Sequence, residues 1–524
     1  MGAGRAGLVS APLGEQRRRP AVVFIGFMGA GKTLALAAAR AAGLQTTEVD
    51  ELMEGELGMP IAAAFERDGE EAFRAREAAV LGALLEEADG GAIALGGGSV
   101  LSGRVRDALD RHLVVWLQVS AAEAWARIEG TPRPLARGAA DVARLLALRV
   151  PLYEQLADAV VPMGEGDIVA RALPSILALA ELPRETRMLW ASSASGEYPA
   201  YVGRGLLAAE WWPLAGRRFC VTDADVGALY AARVEPLAAR VEVKPGEGSK
   251  TMAEAERLLS ELARGGMTRQ DHLLALGGGV VGDLAGFCAH IYQRGAPVVQ
   301  VPTTLLAQVD SAYGGKTAVD LPEGKNYAGA YHLPAAVLAD TSTLETLPSE
   351  ELAAGFVEAL KTGLLVGGAL WERMRSMGEI DPTDLDDVVF ACARCKCEIV
   401  AADERDSGPR AVLNLGHTVG HAIEAASGYS RYRHGEAIGL GLLATLRLSQ
   451  ASALREELEA ILANHGLPTR LDPRVDIDAV LDALQRDKKR TSAGVGFVLL
   501  AEPGAPRTGQ SVDAGRVRSA VEEL

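Results

Sequence analysis

"AVVFIGFMGAGKTLALAAARAAG", residues 21–43, runs from an apolar stretch through a glycine-rich turn into an alanine-rich segment. Val22–Ile25 suits a short buried strand, the glycines mark a turn, and the alanines favour helix. Gly26 to Thr33 fits G-x4-G-K-[ST] between that strand and that helix, the setting in which backbone N–H groups wrap phosphates. Gly29, Ala30 and Gly31 form the loop, Lys32 is placed to neutralise phosphate charge, and the Thr33 hydroxyl to ligate Mg²⁺. Strand, loop and helix in this order open a parallel sheet.

Working outward, "GAIALGGGSV" (91–100) and "LVVWLQVS" (113–120) read as further strands with helical segments between them. The alternation fades where "ELPRETRMLWASSASGEYPAYVG" (181–203) mixes charge, Ser and Gly, so a linker is expected over 176–194. A second α/β region follows, with strands in "RRFCVTDAD" (217–225), "VEVKPGEG" (241–248), "HLLALGGGVVGD" (272–283), "APVVQVPTT" (296–304) and "AAVLADTSTL" (335–344). From 347 the pattern turns helical, in "SEELAAGFVEALKTGLLVG" (349–367), "LDDVVFACARCKCEIVAADE" (385–404) and "AIGLGLLATLRLSQASAL" (437–454). The expected division is a disordered tail over 1–19, a P-loop domain over 20–175, an α/β domain over 195–346 and an α-helical domain over 347–524. A chain of 524 residues exceeds what one core organises, which agrees with several domains.

The net charge of −16 argues against a general nucleic-acid binder. No apolar run is long enough to predict a membrane span. Five cysteines, an odd and small number, argue against a disulfide framework and for a reducing, cytoplasmic setting. The three in "CARCKC" (392–397) read as small apolar residues on a helix.

The residues after the loop narrow its substrate. "EVDELM" supplies Asp50, "EEAFRARE" Arg74, "LGGGSV" the backbone of Gly96, Gly97 and Gly98, "TPRPL" Arg133 and "LRVPLYEQLA" Arg149. In this order and spacing, about residues 20–165 resemble shikimate kinase. The resemblance implies that Asp50 holds substrate hydroxyls and takes the proton of the attacking one. It implies that Arg74 and Arg149 clamp the shikimate carboxylate, a planar anion that suits guanidinium. Gly96–Gly98 contact the ring, and Arg133, on a lid, meets the transferring phosphoryl group of ATP. The sequence departs from the family at Glu48, usually Asp near Mg²⁺, and at Leu34, usually a second hydroxyl.

"LNLGHTVGHAIE" (413–424) sets His417 and His421 four apart on one helix face, and His434 follows in "RYRHGEA". Three of the chain's 8 histidines in so short a span form a cluster, and two imidazoles with one carboxylate would leave an open position on Zn²⁺. "GFVEALKTG" offers Glu358 and Lys361. With "QVPTTLLAQVDSAYGGKTAV" (300–319) and "GKNYAGAYH" (324–332), residues from about 195 to 500 resemble 3-dehydroquinate synthase.

The resemblance implies a fold with a Rossmann-like NAD domain and a helical metal domain. It assigns Zn²⁺ (or Co²⁺) to Glu358, His417 and His434, and makes His421 a substrate-facing acid/base residue. NAD⁺ contacts fall on Asp223, Glu247, Lys250, Gly279, Val281, Gly282, Asp283, Thr303 and Thr304, and on Thr343 and Thr346 of "TLET". The pocket for heptulosonate phosphate takes Asp310, Lys316, Lys325, Asn326, Lys361 and Lys396. It also takes Arg410, Asn414, His421 and a lysine of "RDKK", Lys488 or Lys489. Lys316, Lys361, Lys396 and His421 are the implied catalytic groups of this half. Arg294 matches an arginine lent by a neighbouring subunit, which implies a homodimer.

The chemistry accounts for that set. Expelling phosphate needs an acidic neighbouring C–H, and hydride transfer to NAD⁺ from the adjacent carbinol supplies it. The hydride then returns, so no net redox change occurs. Two other readings stay open: another sugar-phosphate cyclase in the C-terminal half, or a non-catalytic nucleotide-binding regulator in the N-terminal half.

Overall fold

The structure is a computed structural model that describes residues 20–130, 138–164, 166–406, 408–488 and 496–524, without the side chains of 486–488. The expected tail over 1–19, Arg133, Lys489 and the Lys488 side chain therefore lie outside the described residues. Contacts divide the chain into two units, Met1–Met188 and Leu189–Leu524.

In the first unit, β1 (Val22–Ile25), β2 (Thr46–Glu48), β3 (Ala92–Ala94), β4 (Leu113–Gln118) and β5 (Ala159–Pro162) align in the order β2-β3-β1-β4-β5. Every pair is parallel. The central strands are apolar throughout: β1 is buried along its whole length and β4 along all but its last residue. That continuous pattern is what a sheet covered on both faces requires, and each fully buried Val, Leu or Ile side chain contributes roughly 1.5–3 kcal/mol. The order reverses at β1, with β3 and β2 on one side and β4 and β5 on the other, which opens a crevice at the carboxyl ends of β1 and β3.

The second unit repeats this logic on a larger scale. Its strands are β6 (Arg187–Ser193), β7 (Gly196–Gly203), β8 (Arg218–Asp223), β9 (Ala239–Val243), β10 (His272–Gly277), β11 (Val298–Pro302), β12 (Lys316–Leu321), β13 (Gly324–Tyr331), β14 (Ala336–Asp340), β15 (Phe497–Leu500) and β16 (Pro506–Gln510). The main sheet runs β6-β7-β14-β11-β10-β8-β9, parallel from β7 to β9. The order reverses between β8 and β10. β12 pairs antiparallel with β13 in a separate hairpin.

The stretch expected as a linker is regular structure. It holds the end of helix Ile168–Leu177, a 3₁₀ turn and β6, in which Met188 to Ala191 are buried. The apolar core of β6 is only four residues long, and the polar residues around it hid it. The C-terminal part is helical as expected, with one addition, the antiparallel hairpin β15/β16. "CARCKC" lies on helix Asp386–Ala402, where Cys392 and Cys395 are buried and none of the five cysteines is in a disulfide.

Helix His434–Leu448 is pressed into its neighbours through glycines. A Cβ on Gly435 would lie 1.9 Å from the Ala354 carbonyl oxygen, and one on Gly441 would lie 2.1 Å from that of Gly416. Helices Ser349–Val366, His417–Ala426 and His434–Leu448 therefore meet backbone to backbone. That contact brings residues distant in sequence onto one point.

Candidate active sites

In the first unit the loop Gly26–Thr33 leaves the carboxyl end of β1. Gly31 opens helix Lys32–Ala41 at φ 82°, a left-handed value that glycine adopts without strain. The Lys32 ammonium folds over the loop and donates to the Gly26 and Phe27 carbonyls, each at 3.0 Å. The Thr33 hydroxyl donates to Glu48 at 2.9 Å, so the carboxylate that ends β2 stands beside the expected Mg²⁺ ligand. Leu34 points outward and is 63% exposed, so it does not fill the loop.

Asp50, Arg74, Gly96–Gly98 and Arg149 come together at the ends of β2 and β3. A Cβ on Gly98 would fall within 2.8 Å of the Arg74 guanidinium, and one on Gly96 would lie 3.7 Å from the Asp50 carboxylate. A side chain at Gly98 would displace the Arg74 guanidinium. Arg149 is buried, donates to the Gly97 carbonyl at 3.0 Å and stacks over Phe27. Arg74 pairs with Glu77 at 2.6 Å and stands over the rings of Phe65 and Phe73.

Three residues here were not expected from sequence. Glu77 is buried and also accepts from Ser99 at 2.9 Å, so it holds Arg74 in place. Tyr153, whose phenol burial pushes up to about 12, donates to the Gly97 carbonyl at 2.7 Å. Arg127 donates to the Gly29 carbonyl at 3.1 Å. Glu77 lies three residues after Arg74 and Tyr153 four after Arg149, so helix-face spacing was the available signal.

In the second unit a cleft of about 980 Å³ runs from the strand ends to the helical part. Asp223, Glu247, Lys250, Gly279, Val281, Asp283 and Thr304 line one side of it. Asp310, Lys325, Asn326, His421, Glu424 and His434 line the other. Asp223 ends β8 and caps the next helix by accepting from the Val226 amide at 2.9 Å; burial raises its pKa. Lys250 pairs with Asp283 at 2.8 Å and Glu247 at 3.5 Å. Burial opposes the Lys250 charge, but these carboxylates more than offset it; burial pushes Asp283 up to about 6 against Lys250. Gly282 leaves room for Gln300, whose Oε1 would lie 2.9 Å from an added Cβ. Thr303 is buried with its hydroxyl unpartnered. Thr343 donates to the Asp340 carbonyl at 2.7 Å, and Thr346 shares a hydrogen bond with Tyr230.

The metal-type residues converge where the three helices meet. Glu358 Oε1 lies 3.6 Å from His417 Nε2 and 3.4 Å from His434 Nε2. The Lys361 ammonium is 2.6 Å from Glu358 Oε2 as an ion pair, yet neither Glu358 oxygen has an aligned hydrogen-bond donor. A buried carboxylate left so, facing two imidazoles, fits a divalent cation. The three histidines also bring one ring nitrogen each within 4.8 Å of one another, so geometry alone keeps His421 in reach as a ligand.

Burial and then Lys361 hold His417 well below the usual imidazole range, in the neutral state that a metal ligand needs. His434 goes the other way, to about 10: burial opposes its charge, but Glu358 and Glu424 stand on its two sides. Deeper in, Lys396 pairs with Asp310 at 2.6 Å. Burial opposes the Asp310 charge, but Lys396 and Lys361 bring its pKa down to about 2.

Other expected residues sit further out. Lys316 is half exposed and pairs with Asp406 at 2.5 Å. Asn414 is exposed. Arg410 is fully buried, with Nε and Nη2 unpartnered. Arg294 lies on the surface outside the cleft lining, in a turn where Gln293 and Arg294 have φ of 47° and 71°.

Comparison with known proteins gives the family. Residues 240–354 match the 3-dehydroquinate synthase N-terminal family model and 355–490 the C-terminal one. A curated 3-dehydroquinate synthase of Symbiobacterium thermophilum is 43% identical over 350 residues, 62% of this chain and 98% of that protein. The chain belongs to the 3-dehydroquinate synthase family. Residues 28–175 match the shikimate kinase model, so this synthase is fused to a shikimate kinase domain, as a bifunctional shikimate-pathway enzyme.

A second curated synthase, from Desulforamulus reducens, is 41% identical, over 58% of this chain and 90% of that protein. Among solved structures, ValA (2-epi-5-epi-valiolone synthase) from Streptomyces hygroscopicus, with NAD⁺ and Zn²⁺ bound, aligns with a TM-score of 0.55 at 25% identity. It covers 64% of this chain and 99% of that one. A 2-deoxy-scyllo-inosose synthase shares the fold, with a TM-score of 0.58 over 64% of this chain and 99% of that one, at 24% identity. No helix among the described residues is long and apolar enough to cross a membrane.

Proposed function

We propose that residues 20–175 transfer the γ-phosphate of ATP to shikimate, and that residues 195–524 convert 3-deoxy-D-arabino-heptulosonate 7-phosphate to 3-dehydroquinate and phosphate. The observation that carries the second half is one cleft shared by the ends of β8, β9, β10 and β11 and by two of the clustered histidines, His421 and His434. NAD⁺ along the strand ends supplies a reversible hydride acceptor, and Zn²⁺ or Co²⁺ between Glu358, His417 and His434 supplies a Lewis acid.

The chain's own residues do the rest. Lys396, Lys361 and Lys325 present positive charge to a substrate that is a phosphate and a carboxylate at once. Asp310 keeps the Lys396 ammonium oriented. His421, on the cleft wall, accepts or returns a proton at the substrate. Arg410, Asn414, Lys316 and Asn326 extend the anion pocket, and the resemblance adds a lysine of "RDKK", Lys488 or Lys489. Arg294 is read as reaching a neighbour's cleft, which makes the working unit a homodimer. Two adjacent non-glycine residues held at positive φ support a dedicated use for that turn.

In the kinase half, the loop amides and Lys32 hold the ATP phosphates, and Mg²⁺ beside Thr33 and Glu48 offsets their charge. Asp50 takes the proton of the shikimate hydroxyl, and Arg133 meets the transferring group. Arg74 and Arg149 grip the shikimate carboxylate. Substituting Arg74→Ala should raise KM for shikimate about 10- to 100-fold, the loss of one charge-assisted pair, and leave KM for ATP nearly unchanged. Steady-state kinetics with each substrate varied checks this, and a change confined to ATP contradicts the role.

The reading as a different sugar-phosphate cyclase is weaker, since identity is 43% to a curated 3-dehydroquinate synthase and 25% to the valiolone synthase. With NAD⁺ and Zn²⁺ present, the enzyme should release phosphate from heptulosonate 7-phosphate and not from a heptulose 7-phosphate lacking the carboxylate. Release from the latter alone contradicts the assignment. A cytoplasmic location fits the five unpaired cysteines.

A further inference from the structure

We propose that Glu424 is a positioning residue that holds His434 for the metal and Lys325 for the substrate at the same time. This rests on the metal-site reading above. Glu424 lies on helix His417–Ala426, three residues after His421 and seven after His417, and so shares their face. It is 4% exposed and lines the cleft. Its Oε2 is 3.4 Å from His434 Nδ1, and its Oε1 is 3.5 Å from the Lys325 ammonium. The other ring nitrogen of His434, Nε2, faces Glu358 at 3.4 Å. The imidazole therefore stands between two buried carboxylates, one on each nitrogen.

The two carboxylates cannot do the same work. Glu358 also faces His417 and has no aligned donor on either oxygen, whereas Glu424 spends one oxygen on the His434 ring and the other on the Lys325 ammonium. With Nε2 turned to the metal position, Nδ1 is left to carry the proton, and Glu424 is the acceptor that fixes that tautomer and the ring's orientation. Lys325 comes from β13, in the separate hairpin. Its ammonium is 3.8 Å from Glu247 on the nucleotide side and 4.6 Å from the Tyr429 ring centre. A line of facing groups, Glu247, Lys325, Glu424 and His434, thus crosses the cleft from the nucleotide side to the metal side. These separations are those of ion pairs rather than tight hydrogen bonds, so charge matters more than shape.

The test uses the full chain stripped of metal and titrated with Zn²⁺ alone against a chromophoric chelator. Glu424→Gln keeps size and removes charge. It should weaken Zn²⁺ binding about 10-fold and raise KM for the heptulosonate phosphate. Lys325→Met should raise that KM while Zn²⁺ affinity stays within about twofold, because Lys325 touches no metal ligand. With Co²⁺ in the site, Glu424→Gln should shift the visible absorption bands and Lys325→Met should not. Glu424→Asp keeps the charge and should recover part of the affinity; it carries the test if Glu424→Gln does not melt cooperatively. Wild-type Zn²⁺ affinity and unshifted Co²⁺ bands in a folded Glu424→Gln overturn the inference. His417→Ala separates the two readings. If it loses Zn²⁺ while Glu424→Gln does not, the Glu424 role alone fails; if it binds Zn²⁺ normally, the metal-site reading fails.

Discussion

His417→Ala is expected to lose bound metal and synthase activity together, whereas His421→Ala keeps most of its metal and turns over slowly. The two side chains sit on one helix face, with ring centres 5.0 Å apart, so proximity alone predicts similar losses. What separates them is Glu358. Its Oε1 faces His417 and His434 at 3.6 and 3.4 Å, while His421 opens onto the cleft. Removing His417 takes away one of three ligands, and zinc content should fall below about 0.1 per chain. Removing His421 takes away a proton-transfer group, worth about 10²- to 10⁴-fold in rate. Metal analysis of both purified, folded variants reads this directly. Equal metal loss in both contradicts the ligand set.

Lys32→Ala is expected to lower shikimate phosphorylation about 10²- to 10³-fold and to leave phosphate release from the heptulosonate substrate intact. Lys32 belongs to the phosphate loop, where its ammonium donates to the Gly26 and Phe27 carbonyls. The synthase residues all lie in the other unit, Leu189–Leu524. Parallel assays on one preparation of the variant measure both rates. Equal loss of both contradicts two separate sites.

How far the sequence could be read depended on how local each feature is. The loop Gly26–Thr33 and the strands around it were legible because strand, turn and helix follow one another without a gap. The pairing of Glu358 with His417 and His434 was not legible from spacing. Periodicity along one helix points to His417 and His421, and the third helix arrives only because Gly435 and Gly441 let backbones touch. The family resemblance supplied that ligand set. Glu424 was in view in "HAIE" but had no visible partner, since Lys325 comes from a hairpin almost a hundred residues earlier. That hairpin, "KTAVDLPEGKNYAGAY", was missed as strand because Pro, Gly and charged residues break its alternation. β6, inside the expected linker, was missed as strand because its short apolar core is framed by Arg and Ser.

One chain carries two active sites, and the N-terminal one has Glu48 and Leu34 where the shikimate kinase family usually has Asp and a second hydroxyl. ADP formation by the purified full chain, followed with ATP and Mg²⁺ in the presence and absence of shikimate, tests it most directly. ADP formation should depend on shikimate and saturate with it. Bound ATP with no shikimate-dependent ADP formation would mark the unit as a nucleotide-binding regulator and contradict the account.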